Sequence, residues 1–449
     1  MYDIVILGGG PGGYVAAERA GSLGLSVALV EKDALGGTCL NRGCIPTKSL
    51  LAGAKRYRHA LESEAMGIRV EGARYDLAAA MEWKNQTVKR LVANVDFLMK
   101  KHKVDVIQGT GELASASSVR VQESGQMLEG RHIIVASGSE PALPPIPGLA
   151  GNPSVLTSAE LLNLKELPGS LVIIGAGVVG IEFATYFSAL GVGVTVLEMM
   201  SEILPFMDAE AVGVFRRSLK GVTIHTGARV TGIEGGVVSY TKGDDNGSVT
   251  GDLILAAAGR KPLVSGLGLE AAGVQFGPKG IVVDDQCRTN VPGVWAIGDV
   301  TGRSLLAHSA SAMGRAVADA IAGKTASVPW KALPWVVYGE PEAAGVGATE
   351  AELKAAGVEY AKSSLPARAN GRFLAENGMG AHGMCKLLAD AETGRLLGAT
   401  VVAPYASELI WGLQYAIALG AGVGDMDAVV FPHPTVSELI HDALGGLGL

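Results

Sequence analysis

A glycine-turn unit occurs twice in this chain, and it limits the available folds more than any other feature. Residues 2–31 read YDIVILGGGPGGYVAAERAGSLGLSVALVE, and residues 170–198 read SLVIIGAGVVGIEFATYFSALGVGVTVLE. Both run apolar strand, G-x-G-x-x-G, apolar-faced helix, Leu-Gly turn, apolar strand and terminal acid. The first copy places Gly8, Gly10 and Gly13 before Glu31, and the second places Gly175, Gly177 and Gly180 before Glu198. Each first glycine precedes its acid by 23 residues. The spacing has a physical reason. The first glycine makes a tight turn, the second admits a pyrophosphate against the backbone, and the third lets helix and strand pack closely. The helix N-terminus then faces the phosphates with its positive end. The acid reaches the ribose hydroxyls. One such motif is weak evidence, but two in identical strand–turn–helix–strand frames predict two dinucleotide sites.

The rest of the chain agrees with a large α/β protein. At 449 residues, three domains of ordinary size are expected. Hydrophobic residues reach 48% and charged residues only 18%, which excludes a disordered chain. A net charge of -7 and 5% aromatics argue against a nucleic-acid binder. Four cysteines in such a length, with no basic leader before Tyr2, point to a cytoplasmic protein without a disulfide framework. The apolar run Pro168–Leu197 carries six glycines and Glu182, so it divides into strand, helix and strand rather than a membrane span. Buried parallel strands ending in glycine turns are expected at 132–139 (HIIVASGS), 253–260 (LILAAAGR) and 294–299 (VWAIGD). The stretch ALPPIPG at 142–148 reads as a crossover, and TASVPWKALP at 325–334 as a second boundary.

Chemistry concentrates in GGTCLNRGCIPTK, residues 36–48. Cys39 and Cys44 sit in a glycine-flanked loop entering a helix. That loop can bring two Cα atoms within disulfide range, and a helix N-terminus favours a thiolate. Two unpaired buried thiols are the alternative; zinc is not, since no second ligand pair lies nearby. Arg42 between them reads as a solvated loop residue. Cys287 and Cys385 read as packing residues in strands. Glu182 is an acid in an otherwise apolar helix and calls for a buried partner. Glu198, followed by Met199 and Met200 instead of arginine, favours NAD over NADP.

Together these segments resemble the class I pyridine nucleotide–disulfide oxidoreductases over essentially the whole chain. The resemblance implies two Rossmann-like domains, for FAD (1–143 and 262–325) and NAD (144–261), with an α+β dimerisation domain at 335–449. It implies a redox disulfide in which Cys39 exchanges with substrate and Cys44 lies against the flavin. Lys48 and Glu182 would flank the flavin ring. Asp299, in the motif VWAIGDV, would hold the ribitol, with Gly138, Gly259 and Ala307 also at the cofactors. The following segment LLAHSASAMG carries Ser309 and Met313 where many relatives have charged residues. In FPHPTVSE, His433 would be the catalytic base before a Pro-led helix, and Glu438 its orienting carboxylate. The family supplies that pair from the second subunit of a homodimer.

The implied activity is oxidation of dihydrolipoamide, free or on the lipoyl domain of a 2-oxoacid dehydrogenase or glycine cleavage complex, with reduction of NAD. The alternatives are an NADH-dependent reductase of another small disulfide and an electron relay to a protein partner. No cysteine follows Cys385, unlike in mercuric reductases and large thioredoxin reductases.

Overall fold

The computed structural model describes residues 1–449. Its first parallel sheet is built on the strand Tyr2–Leu7, whose Ile4, Val5 and Ile6 are fully buried. A strand apolar on both faces needs cover on both sides, which parallel crossovers provide. Val27–Glu31 and then Asp105–Gln108 lie on one side of it; Met127–Val135 and then Val294–Ala296 lie on the other. The chain order therefore reverses beside Tyr2–Leu7, and a crevice opens at the carboxyl ends of the strands there. Helix α1 (Pro11–Ser22) leaves the first glycine loop. Helices α2 (Gly37–Arg42) and α3 (Cys44–Leu61) follow the second strand, and the long α4 (Leu77–Lys101) packs beside them.

The second unit repeats this plan. A short α5 (Ser158–Leu161) precedes the central strand Ser170–Ile174. Helix α6 (Val178–Ala189) leaves its glycine loop, and the strands Gly193–Glu198, Val222–Thr226, Leu253–Ala256 and Val155–Leu156 complete a parallel sheet. Nine of the twelve residues of α6 are buried, Glu182 among them, because it is covered on several sides. The apolar run 168–197 is thus strand, helix and strand, and no helix of the chain is long and apolar enough to cross a membrane. Helix α7 (Ala209–Ser218) is capped by Asp208. The chain passes between the two units through paired strands, Ser139–Pro141 running antiparallel to Arg260–Pro262.

Helix α8 (Ala307–Ile321) returns to the first unit and packs on α1. The approach is close: a Cβ on Gly314 would stand 2.5 Å from the Gly12 carbonyl oxygen. Beyond it lies a five-stranded antiparallel sheet, Trp335–Val337, Glu342–Gly347, Leu396–Ala403, Met384–Asp390 and Tyr360–Pro366 in spatial order. The helices Ala406–Leu419 and Glu438–Gly445 cover it. A buried Lys386 ties this sheet to the second unit by bonding Asp208 at 3.0 Å, and it bonds Glu350 of its own unit at 2.6 Å.

Two expectations need correction. Cys385 lies in a strand, but Cys287 does not: it occupies a tight turn at φ +66°, held by Asp284, whose side chain accepts from the Gln286 and Arg288 N–H groups. The helix after His433 is not led by Pro434. The His433–Pro434 bond is cis, and the helix begins at Glu438.

Candidate active site: two dinucleotide cradles and a cysteine pair

The repeated motif has one geometry in both copies. Gly8 and Gly175 both adopt φ +105°, which side-chain-bearing residues avoid. A Cβ on Gly13 would lie 1.8 Å from the Gly8 oxygen, and one on Gly180 would lie 2.0 Å from the Gly175 oxygen. The middle glycines are different. A Cβ on Gly10 would meet nothing nearer than 3.9 Å, and one on Gly177 nothing within 4 Å. The third glycine is therefore closed by its own loop and the first by the end of a neighbouring strand, where its Cβ would stand 2.4 Å from the Ala136 oxygen or 2.5 Å from the Ala257 oxygen, while the middle one faces open space at a helix N-terminus, as a pyrophosphate cradle requires. The residues present fit a dinucleotide in each loop.

The terminal acids also serve the loops themselves. Glu31 accepts from the Gly9 and Asp33 N–H groups at 2.7 and 2.8 Å. Glu198 accepts from Ala176 and Met200, both at 2.7 Å. Each carboxylate thus clamps its glycine loop to the end of the next strand and keeps its remaining lone pairs for a ligand. Glu198 is buried beside exposed Met199 and Met200.

Cys39 lies in α2 and Cys44 opens α3, with Gly43 turning the chain between them. The two are joined as a disulfide, with Cα atoms 4.7 Å apart. Asn41 steadies this turn by donating to the Leu35 and Gly37 carbonyls. Gly37 must be glycine, because its Cβ would lie 2.7 Å from Gly10 Cα in the first cradle. The cysteine loop is therefore seated directly on that cradle. Arg42 is half exposed and pairs with Asp33 at 2.6 Å.

One turn beyond Cys44, Lys48 Nζ reaches Glu182 Oε2 at 2.6 Å. Glu182 is the buried partner of the pair at 4% side-chain exposure, against 30% for Lys48. Its other oxygen accepts from the Tyr338 N–H at 3.2 Å, and Lys48 stands 4.6 Å from the centre of the Tyr338 ring. The pair joins α3, behind the disulfide, to α6, which leaves the second cradle. Tyr338 was missed in the sequence because it lies 156 residues from Glu182 and in no motif.

Asp299 sits at the mouth of the first crevice, after Val294–Ala296. It accepts from Ser139 Oγ at 2.6 Å, and Arg260 donates to that same Oγ at 2.7 Å. Burial raises the Asp299 carboxyl pKa, against the opposing pull of Ser139 and Arg260. Gly138 and Gly259, both at positive φ, flank the paired strands that carry Ser139 and Arg260. Ala307 opens α8, so the first N–H groups of that helix lack intrahelical partners. Met313 Sδ accepts from the Gly298 N–H at 3.2 Å, and the Ser309 hydroxyl is buried without a partner.

His433 and Glu438 meet each other, Nδ1 to Oε1 at 2.8 Å. The Thr435 N–H donates to the second carboxylate oxygen at 2.7 Å. That bond, with the one from His433, holds the Glu438 carboxyl below its usual range. The His433 side chain is 81% exposed and bonds nothing else in its own chain. The structure therefore brings together His433 with Glu438 and, separately, the cysteine pair with Lys48 and Glu182.

Two family models match the chain: pyridine nucleotide-disulphide oxidoreductase over residues 2–314, and the dimerisation domain of the same family over 333–444. The chain belongs to the pyridine nucleotide-disulphide oxidoreductases. Within that family it is 39% identical to the dihydrolipoyl dehydrogenase of Geobacillus stearothermophilus, over 98% of this chain and 95% of that protein. It is 41% identical to leghemoglobin reductase of Vigna unguiculata, over 98% of this chain and 86% of that one. Among solved structures, LpdA of Mycobacterium tuberculosis aligns with a TM-score of 0.91 at 29% identity. RclA of Escherichia coli, an HOCl-induced flavoprotein disulfide reductase, aligns at 0.87 and 31%. Each alignment covers 99% of both chains.

Proposed function

We propose that this chain oxidises dihydrolipoamide to lipoamide with reduction of NAD, through FAD and the Cys39–Cys44 disulfide. One observation carries the reading: the disulfide is seated on the first cradle and tied to the second through Lys48 and Glu182. The FAD-binding residues are Gly8, Gly10, Gly13, Glu31, Gly138, Asp299 and Ala307. Gly175, Gly177, Gly180, Glu198 and Gly259 serve NAD. The matching domains are 1–143 with 262–325 for FAD, 144–261 for NAD and 335–449 for dimerisation. Glu198 excludes a 2′-phosphate by charge, since no arginine adjoins it. The setting is the cytoplasm, and the partners are lipoyl domains of 2-oxoacid dehydrogenase or glycine cleavage complexes.

The protein's own steps follow from its side chains. His433, held by Glu438, removes a thiol proton from the dithiol; a base with a pKa near neutrality suits that step. The substrate thiolate attacks Cys39 Sγ, the Cys39–Cys44 bond breaks, and Cys44 leaves as thiolate. The N-terminus of α3 stabilises that charge. The second substrate thiol displaces Cys39, releasing lipoamide and leaving two cysteine thiols. Bound FAD supplies the passage of the two electrons from the dithiol to the nicotinamide. In balance, dihydrolipoamide and NAD⁺ give lipoamide, NADH and a proton. Because His433 faces solvent in its own chain, the reading includes a homodimer in which it serves the cysteine pair of the second subunit.

The test is steady-state turnover of the flavin-loaded protein with dihydrolipoamide and NAD, beside NADP and beside oxidised glutathione with NADH. Fast reduction of NAD by dihydrolipoamide, lost in Cys44→Ser with flavin retained, is the expected result. Full activity in Cys44→Ser would refute the disulfide assignment. Flavin reducible by NADH without any dihydrolipoamide turnover would refute the substrate and favour another disulfide.

A further inference from the structure

Away from both cradles, a cleft of about 430 Å³ opens between α2, α4 and Asn163, two residues beyond α5. Its size is within the range of small-molecule sites. None of the cradle glycines, Asp299, Lys48, Glu182 or the cysteines lines it. Its most unusual wall is Lys84, which has 4% exposure and no carboxylate partner. The ammonium donates to the Leu162 carbonyl at 2.5 Å and to Asn163 Oδ1 at 3.1 Å. Asn163 is itself held by a bond to the Ala159 carbonyl, which keeps that oxygen turned to the lysine.

An ammonium carries three donors, so these bonds leave one unused. A buried cation without a counter-ion is costly, and two neutral acceptors offset only part of that cost. Burial accordingly lowers the Lys84 pKa. The charge around the cleft is favourable to an anion. Lys89 at the rim is free of any ion pair, and the one acid, Asp96, is already paired with Lys100 at 2.6 Å. Val88, Val92 and Ala93 give the α4 wall an apolar stretch, with Asn85 the one further polar residue of α4 on the lining. A bare phosphate would leave that wall unused, whereas a carboxylate with a short apolar chain would engage both parts.

We infer that this cleft binds a small carboxylic acid with a short apolar chain, its carboxylate on Lys84 and its chain along Val88, Val92 and Ala93. The occupant also lies against Asn41, the residue that steadies the turn between Cys39 and Cys44.

The test is calorimetric titration of the flavin-loaded protein with hexanoate, hexan-1-ol and inorganic phosphate. Hexanoate is expected to saturate one site per chain, at least tenfold tighter than either control. Lys84→Met should weaken it at least tenfold. Ala93→Asp, at an exposed position that leaves the fold alone, should weaken it by a similar factor and so covers the case in which Lys84→Met does not fold. Lys89→Gln should weaken it about threefold. Equal binding of hexan-1-ol or phosphate would overturn the proposal, as would hexanoate affinity unchanged in Ala93→Asp or in folded Lys84→Met.

Discussion

Lys48→Met and Glu182→Gln break the same ion pair but should not cost the same. Lys48→Met leaves the Glu182 carboxylate behind at 4% exposure, with only the Tyr338 N–H to hold it. Removing one partner of a buried pair typically costs about 3–5 kcal/mol, because a charge stays buried unpaired. Glu182→Gln instead leaves an ammonium that is 30% exposed and lies beside the Tyr338 ring. Water solvates it in part, and the amide oxygen can still accept. We expect about 1–3 kcal/mol there, reduced by that access to water. The difference, about 2 kcal/mol, is roughly thirtyfold in an equilibrium constant. The double variant Lys48→Met/Glu182→Gln should recover part of the Lys48→Met loss, since no charge is then stranded. Urea unfolding of the flavin-loaded protein, followed by far-UV circular dichroism at unchanged m, reads all three. Equal losses in the two single variants, or a milder Lys48→Met, would refute the claim that Glu182 is the desolvated member.

The two cradles should fail independently. Gly13→Ala should give protein that does not retain flavin, because its Cβ overlaps the Gly8 oxygen, while Gly180→Ala should keep flavin absorbance but lose turnover with NAD. Glu198→Ala should not become a good NADP enzyme. It leaves the Ala176 and Met200 N–H groups without their acceptor, at about 1–3 kcal/mol each, so kcat/KM should fall with NAD more than it rises with NADP. Glu350 is held well below its usual 4.5, first by Lys386 and then by Lys354. A depressed carboxylate contributes stability that is full above its unfolded pKa and is lost as pH falls toward its folded one. Thermal melts of Glu350→Gln should therefore show a flatter decline than wild type below about pH 4.5.

What could be read from the sequence was what is local in the chain. Each cradle is decided within one strand–turn–helix segment, so the spacing of Gly8, Gly10 and Gly13 could be interpreted without knowing the rest of the fold. Glu182 was legible in half: an acid in an apolar helix must have a partner. The seat for its second oxygen, the Tyr338 N–H, is a contact over 156 residues that no periodicity encodes. Ser139 and Arg260 at Asp299 are hidden for the same reason, being brought together by strand pairing over 121 residues. Two turns carry local signals of their own. The Asp284-Asp285-Gln286 stretch before Cys287 is a turn signal, since an aspartate can accept from backbone N–H groups two and four residues on, as Asp284 does. Thr435-Val436-Ser437-Glu438 is a T-x-x-E signal, with the Thr435 N–H donating to Glu438, and it places the helix start beyond Thr435 rather than at Pro434.

His433 and Glu438 show where local reading stops. Their contact is built inside one chain, because Glu438 spends one oxygen on the Thr435 N–H and the other on His433 Nδ1. That leaves Nε2 unbonded, and the ring presents it to solvent. The His433 side chain is 81% exposed and bonds only Glu438 in its own chain. The same helix, Glu438–Gly445, packs its apolar face onto the five-stranded sheet and so cannot swing to another place. The rigid mount and the exposed base are understood together if a second copy of the chain brings a cysteine pair to it. On this argument a His433→Gln protein and a Cys44→Ser protein, each inactive alone, should regain up to about a quarter of wild-type turnover per site when their subunits are mixed and exchanged. Wild-type His433 then faces wild-type Cys44 at one of the two sites of each mixed dimer, and half the dimers are mixed. Mixtures that stay inactive after verified subunit exchange would refute it.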